Sequence, residues 1–171
     1  SLNKPAEYFS NNCTGTNSLL TAFKNAGGKI FIFSSTCAVY GNVKTNKITE
    51  KNLLAPISNY AKTKLISEQM IQYYASNFNF NYGILRYFNV VGSDYMNGIG
   101  CMYDIGQLFK RLADVTLKKK NSFSIYGKNY NTKDKTAIRD YIHVKDLSQI
   151  HIKTLKILLL NNKNLLLNCG Y

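Results

Sequence analysis

The sequence predicts an α/β fold: a parallel sheet flanked by helices. Two short β-branched and aromatic runs, Lys29–Phe33 and Tyr82–Tyr87, have the form of strands buried on both faces. A helix-length segment ending near Asn77 separates them. A connection of that length joins parallel strands through a right-handed crossover.

The elements follow in order. Pro5 to Asn25 reads as a helix: Pro5 suits its first turn, Leu19, Leu20 and Phe23 give it an apolar side, and Gly27-Gly28 end it. The first strand runs directly into Ser34-Ser35-Thr36. Ligands of open α/β sheets sit beyond the carboxyl ends of strands, so these hydroxyls are well sited for chemistry. Residues 37–59 read as loop, with Gly41, Asn42 and Pro56 as punctuation, and Ser58 or Asn59 can cap the next helix. Ile66, Met70 and Tyr73 lie about half a turn from Tyr60 and Lys64 and are expected to be its packed side.

The second strand delivers Phe88, Asn89 and Gly92 to the same sheet edge as Thr36. Gly98-Ile99-Gly100 lacks the third glycine and the leading strand of a dinucleotide fingerprint, so it reads as loop. Ile105, Leu108, Phe109, Leu112 and Val115 trace a helix stripe, and Lys118-Lys119-Lys120 suit the dipole at its end. Phe123–Tyr126 reads as a short strand, 127–136 as polar loop, Lys145 to Leu160 as a helix, and Leu165-Leu166-Leu167 as the start of a last strand.

The 171 residues suffice for one domain with a sizeable core, or for parts of two. The net charge of +13 invites a nucleic-acid reading, but only Arg86, Arg111 and Arg139 are arginines and the lysines are scattered among asparagines. No nucleic-acid partner is therefore expected. Cys13, Cys37, Cys101 and Cys169 show neither metal nor disulfide spacing and are expected to be free thiols. His143 and His151 have no partner pattern for a metal. No apolar run approaches the roughly 18 residues of a membrane span, and no signal peptide is visible. A cytoplasmic location is expected. The chain opens on Ser1, which suggests a fragment.

Tyr60-Ala61-Lys62-Thr63-Lys64 carries the clearest chemistry. Four residues apart on a helix, Tyr60 and Lys64 share a face. An ammonium about 4 Å from the phenol, at an effective dielectric of about 20, supplies on the order of 4 kcal/mol, enough to bring a tyrosine towards neutral-pH basicity. Thr36 would share the proton of a substrate alcohol.

Several stretches together resemble a known family. They are Pro5-x-x-Tyr8-Phe9-x-Asn11-Asn12-x-x-Gly15-Thr16, Phe33-Ser34-Ser35-Thr36-x-Ala38-Val39-Tyr40-Gly41, Tyr60-x-x-x-Lys64-x-x-x-Glu68 and Leu85-Arg86-Tyr87-Phe88-Asn89-Val90-x-Gly92. The last is Ile125-Tyr126-Gly127-x-x-Tyr130-x-Thr132-x-Asp134-x-Thr136-x-Ile138-Arg139-Asp140-Tyr141-Ile142-His143-Val144-x-Asp146-Leu147. In order and spacing these resemble the extended short-chain dehydrogenase/reductases, and within them the UDP-glucose 4-epimerases.

The resemblance implies a partial Rossmann-like domain. Residues 1–95 would be the C-terminal part of an NAD-binding domain and 96–171 part of a smaller substrate-binding region. It implies Thr36, Tyr60 and Lys64 as catalytic residues, with NAD as cofactor bound by Asn11, Ser34, Thr36, Tyr60, Lys64, Tyr87 and Phe88. A UDP-sugar would meet Thr36, Asn89, Gln107, Leu108, Ser124, Tyr126 and Arg139, with Arg139 on the diphosphate. Gln107 stands where relatives carry Asn or His. The implied reaction is an isomerisation, UDP-glucose to UDP-galactose through a 4-keto sugar, in a homodimer. A UDP-N-acetylhexosamine 4-epimerase and a non-catalytic remnant are the alternatives. Cys37 and Ala38 stand where the 4,6-dehydratases carry an Asp-Glu pair, so dehydration is not expected. Lys135 replaces a glycine in the Asp134-x-Thr136 turn, where positive φ is wanted. The family's glycine-rich turn falls outside the 171 residues, so these residues alone are expected to be inactive.

Overall fold

A computed structural model describes residues 4–171 apart from 44, 46, 101–106 and 128. Cys101 and Ile105, expected as a free thiol and as the start of a helix stripe, lie outside the described residues. In chain order the helices are α1 (Pro5–Phe9), α2 (Gly15–Asn25), α3 (Asn59–Phe78), α4 (Leu108–Thr116) and α5 (Val144–Asn161). The strands are β1 (Ile30–Thr36), β2 (Asn81–Tyr87), β3 (Asn89–Val91), β4 (Tyr141–His143) and β5 (Leu165–Cys169).

Two compact units result. Residues up to Phe88 pack with Gln149–Gly170, and Asn89–Ser148 pack with Tyr171. β5 finds its ladder partner in Gly83–Tyr87 of β2, which draws the C-terminal segment into the first unit.

In the first unit β1, β2 and β5 form a parallel sheet in the order β1-β2-β5. Thr36 stands opposite Tyr87, and Tyr87 opposite Cys169, so the three carboxyl ends lie level. Ser58 caps α3 by accepting the Ala61 N–H at 3.1 Å, and Asn79, in the left-handed region at φ 51°, turns the chain out of it. Leu20, Phe31, Ile71, Ala75 and Phe80 form the core between α2, α3 and the sheet. Phe23 meets Phe31 and Phe80 edge-on at 5.3 and 5.2 Å. Gly83 admits α5 to the sheet, since a Cβ there would stand 2.6 Å from the Thr154 methyl group.

The expected helix over 5–25 is an unbroken helical run with a wider π turn at Ser10–Thr14 joining α1 to α2. That turn sets Asn12 against α3, where its side chain donates to Thr63 Oγ1 at 2.9 Å and its carbonyl accepts from Ser67 Oγ at 3.0 Å. The packed face of α3 also differs from expectation. Ala61, Thr63, Ser67, Glu68, Ile71 and Ala75 are buried, whereas Tyr73 is 69% exposed and Ile66 and Met70 are half-buried. The helix is covered by α1–α2 as well as by the sheet, and small or polar residues allow that close double approach.

A charged pair lies inside this packing. Arg86, 2% exposed near the carboxyl end of β2, donates through Nη2 and Nε to Glu68 at 2.6 and 3.0 Å. Glu68, 1% exposed, also accepts from the Ser35 hydroxyl. Arg86 Nη1 donates to the Tyr40 hydroxyl at 2.8 Å, which donates to Asn168 Oδ1 at 2.7 Å. The network thus joins α3, β1, β2, the 3₁₀ turn Cys37–Tyr40 and β5.

In the second unit β3 pairs with β4 in parallel, and Phe109 of α4 meets Tyr141 edge-on at 5.2 Å. Phe123–Tyr126, expected as a strand, belongs to no ladder among the described residues; Ile125 and Tyr126 are largely exposed, without the partner a strand needs. Lys135 takes φ 63° in its turn, the conformation anticipated at the position of the replaced glycine. Asp134 holds that turn by accepting the Thr136 N–H at 3.0 Å.

Removing Glu68 strands a buried guanidinium. Glu68→Ala is expected to cost about 3–5 kcal/mol in a urea titration. A loss below about 1 kcal/mol would show that the pair bears little of the packing.

Candidate active site at the carboxyl end of the sheet

The first unit brings Thr36, Tyr60, Lys64, Ser34 and Tyr87 to the carboxyl end of its sheet. Thr36 ends β1 and caps the following 3₁₀ turn, its Oγ1 accepting the Ala38 N–H at 3.2 Å. That bond occupies one lone-pair lobe and leaves the hydroxyl proton available, and the Thr36 hydroxyl lowers the Tyr60 phenol. Tyr60 lies in the first turn of α3, its ring edge-on to Tyr8 at 6.3 Å. Ser34 Oγ and the Tyr87 hydroxyl are 2.7 Å apart. The Phe88 N–H donates to the Cys169 carbonyl at 3.1 Å. Asn11 lines a cleft of about 270 Å³ with Glu7, Tyr8 and Asn12.

The electrostatics correct the sequence expectation for the Tyr60–Lys64 pair. The Lys64 ammonium donates to the Ser34 carbonyl at 2.9 Å and stands over the Phe33 ring at 4.7 Å. It is not among the groups that act on the Tyr60 phenol. Burial pushes Tyr60 above the ordinary phenol value, the Thr36 hydrogen bond pulls it back, and Cys37 and Tyr8 add to the rise. Burial also lowers Lys64. The lysine is therefore a held cation at the strand end, while the oxygen that favours a Tyr60 phenolate is that of Thr36.

The substrate-side residues lie in the second unit, apart from Thr36. Asn89 opens β3 and donates through its amide to the Asp140 carbonyl at 2.8 Å. Gln107 precedes α4 and Leu108 is its first residue. Arg139 is exposed, two residues before β4. Ser124 and Tyr126 of this set line a cleft of about 260 Å³ together with Arg111 and Lys120. The Arg111 guanidinium stands 5.3 Å from the Tyr126 ring centroid, and its hydrogen bond lowers the Tyr126 phenol.

Sequence reasoning assigned no role to Arg111, Arg86, Glu68 or His151. An arginine inside an otherwise apolar strand was the available signal for Arg86, because such a charge requires an internal acid. His151 gave none: its partner Tyr87, 2.6 Å from Nε2, is distant in sequence. Cys13, Cys37 and Cys169 are in no disulfide; burial, reinforced by Glu50, pushes Cys169 up to about 11.

Thr36, Tyr60 and Lys64 thus lie together at the carboxyl end of a parallel sheet. Residues 1–170 match the NAD dependent epimerase/dehydratase family, and the chain belongs to it. UDP-glucose 4-epimerase of Rhizobium meliloti (strain 1021) is 39% identical over 171 residues, 99% of this chain and 52% of the relative. The crystal structure of UDP-glucose 4-epimerase from Brucella ovis in complex with NAD superposes with TM-score 0.94 at 38% identity, covering 99% of this chain and 53% of that one. The UDP-Glc/GlcNAc 4-epimerase from Campylobacter jejuni superposes with TM-score 0.77 at 38% identity, covering 100% and 52%. The chain spans about half the length of the curated relatives it matches. Its parallel sheet with flanking helices is the Rossmann-like arrangement of these epimerases.

The direction of the Tyr60 shift gives a test. Thr36→Val should raise the Tyr60 titration further, and Lys64→Met should leave it nearly in place, both read by NMR of [13Cζ]tyrosine-labelled protein. A clear rise in Lys64→Met alone would reinstate the lysine as the controlling charge.

Proposed function

We propose that the protein carrying this chain is an NAD-dependent UDP-hexose 4-epimerase, interconverting UDP-glucose and UDP-galactose. The observation that carries this reading is the meeting of Thr36, Tyr60 and Lys64 at the strand end, the Thr36 hydroxyl favouring the Tyr60 phenolate and the Lys64 ammonium, one helical turn away, anchored on Ser34. The donor set fits the nicotinamide-ribose end of NAD: Lys64 and Tyr60 for the ribose hydroxyls, Ser34 and Tyr87 beside them, Asn11 from the α1 side. NAD, when bound, supplies reversible acceptance of the C4 hydrogen as hydride. The relatives' names and the NAD in the Brucella ovis complex support that assignment.

The chain's own groups account for the proton. Tyr60, in its phenolate form, takes the proton of the sugar 4-hydroxyl as C4 is oxidised and returns it when the 4-keto sugar is reduced. Thr36 orients that hydroxyl and stabilises the phenolate, offsetting in part the burial that favours the neutral phenol. The buried Glu68–Arg86 pair holds the helix that carries Tyr60. Cys37 and Ala38 offer neither acid nor base for eliminating water, so the reaction stops at epimerisation. In the second unit Ser124, Tyr126 and Arg111 would receive the uridine diphosphate, with Asn89, Gln107, Leu108 and Arg139 as further contacts. The family's glycine-rich turn falls outside these 171 residues, which are proposed to be inactive alone. A homodimer and a cytoplasmic location belong to the same proposal.

Similarity to the UDP-Glc/GlcNAc 4-epimerase from Campylobacter jejuni supports a second substrate, UDP-N-acetylglucosamine. Tyr60→Phe should lower kcat for interconversion by about 10²–10⁴-fold, with UDP affinity unchanged. Assayed in parallel, UDP-N-acetylglucosamine turnover tells whether the pocket admits both sugars. Undiminished turnover in Tyr60→Phe would remove Tyr60 from the reaction.

A further inference from the structure

Tyr87 of β2 and His151 of α5 make a hydrogen-bonded row that ends at the candidate site. His151 Nε2 lies 2.6 Å from the Tyr87 hydroxyl, which lies 2.7 Å from Ser34 Oγ. The carbonyl of the same Ser34 accepts the Lys64 ammonium at 2.9 Å. The two rings also meet edge-on, 5.7 Å between centroids. Tyr87 is half-buried, and burial pushes its phenol up, so it stays a neutral hydroxyl with a single proton to give. The row therefore runs one way at a time. If Tyr87 donates to His151, Ser34 donates to Tyr87; if Nε2–H donates to Tyr87, Tyr87 donates to Ser34.

Ser34 lies on β1, which pairs in parallel with β2. Its side chain is tied to Tyr87, and Tyr87 is tied to α5, the helix packed on the sheet through Gly83 and Thr154.

The geometry points to His151 as a positioning residue of this site: through Tyr87 it fixes Ser34, and so fixes where the Lys64 ammonium is held. The consequence for catalysis rests on the reading of Lys64 as the ribose-binding lysine, but the restraint itself is a property of this chain. His151→Phe removes the ring nitrogen and keeps an aromatic ring. His151→Gln keeps a polar partner for the Tyr87 hydroxyl.

The test measures NMR order parameters at lysine Nζ in the 171-residue chain, with no cofactor or sugar, using exposed Lys62 of the same helix as internal reference. Lys64 should be more ordered than Lys62. His151→Phe should bring Lys64 down to the Lys62 level, Tyr87→Phe should do the same, and the double variant should fall no further than either. His151→Gln should restore the ordered value. A Lys64 that stays as ordered in His151→Phe and Tyr87→Phe as in the parent overturns the inference, as does a double variant whose losses add. Should His151→Phe fail to melt cooperatively, Tyr87→Phe decides the matter alone. Loss of epimerase activity has no bearing on this readout, so the two readings fail separately.

Discussion

The Glu68–Arg86 pair is the constraint on which the rest of the first unit depends. Two charges with almost no exposure cost several kcal/mol each to desolvate, and only good geometry with full hydrogen bonding offsets that. The geometry is good: two nitrogens of Arg86 reach the carboxylate, Ser35 fills another acceptor site, and Tyr40 takes the remaining guanidinium edge. An apolar pair of the same volume would pack as stably. What it would lack is direction. Hydrogen bonds from Glu68 to β1 and β2 admit one rotation of α3 and one axial position, and Tyr60 and Lys64 ride on that helix.

Placement, more than charge, then explains the site. The opening expectation gave Lys64 the task of lowering the Tyr60 phenol across about 4 Å. The folded chain spends the lysine on the Ser34 carbonyl and the Phe33 ring, and leaves Tyr60 raised by burial with Thr36 as its counterweight.

Much of the fold was legible from local pattern. Lys29–Phe33 and Tyr82–Tyr87 announced a buried parallel pair, and Ser58 announced the start of α3, because strand composition and helix caps are local properties. The carboxyl-end position of Thr36 followed from chain direction alone. Less local matters were hidden. The buried side of α3 was misread because a helix covered on two sides buries small and polar residues, which a search for large apolar ones passes over. Tyr126 was read in a strand, although strand propensity means little without a partner to pair with. Arg111 beside Tyr126 and His151 beside Tyr87 depend on contacts that no spacing encodes.

Where hydrogen goes during turnover bears most directly on the central claim, that this site oxidises and re-reduces a carbon whose hydroxyl proton passes to Tyr60. The protein carrying this chain would be supplied with UDP-glucose in D2O and the product followed by proton NMR. The account requires UDP-galactose with its original hydrogen at carbon 4, because that hydrogen travels as hydride within the closed site and only the hydroxyl proton exchanges with solvent. Deuterium at carbon 4 of the product would mean removal of a carbon-bound proton to solvent, and would contradict the account.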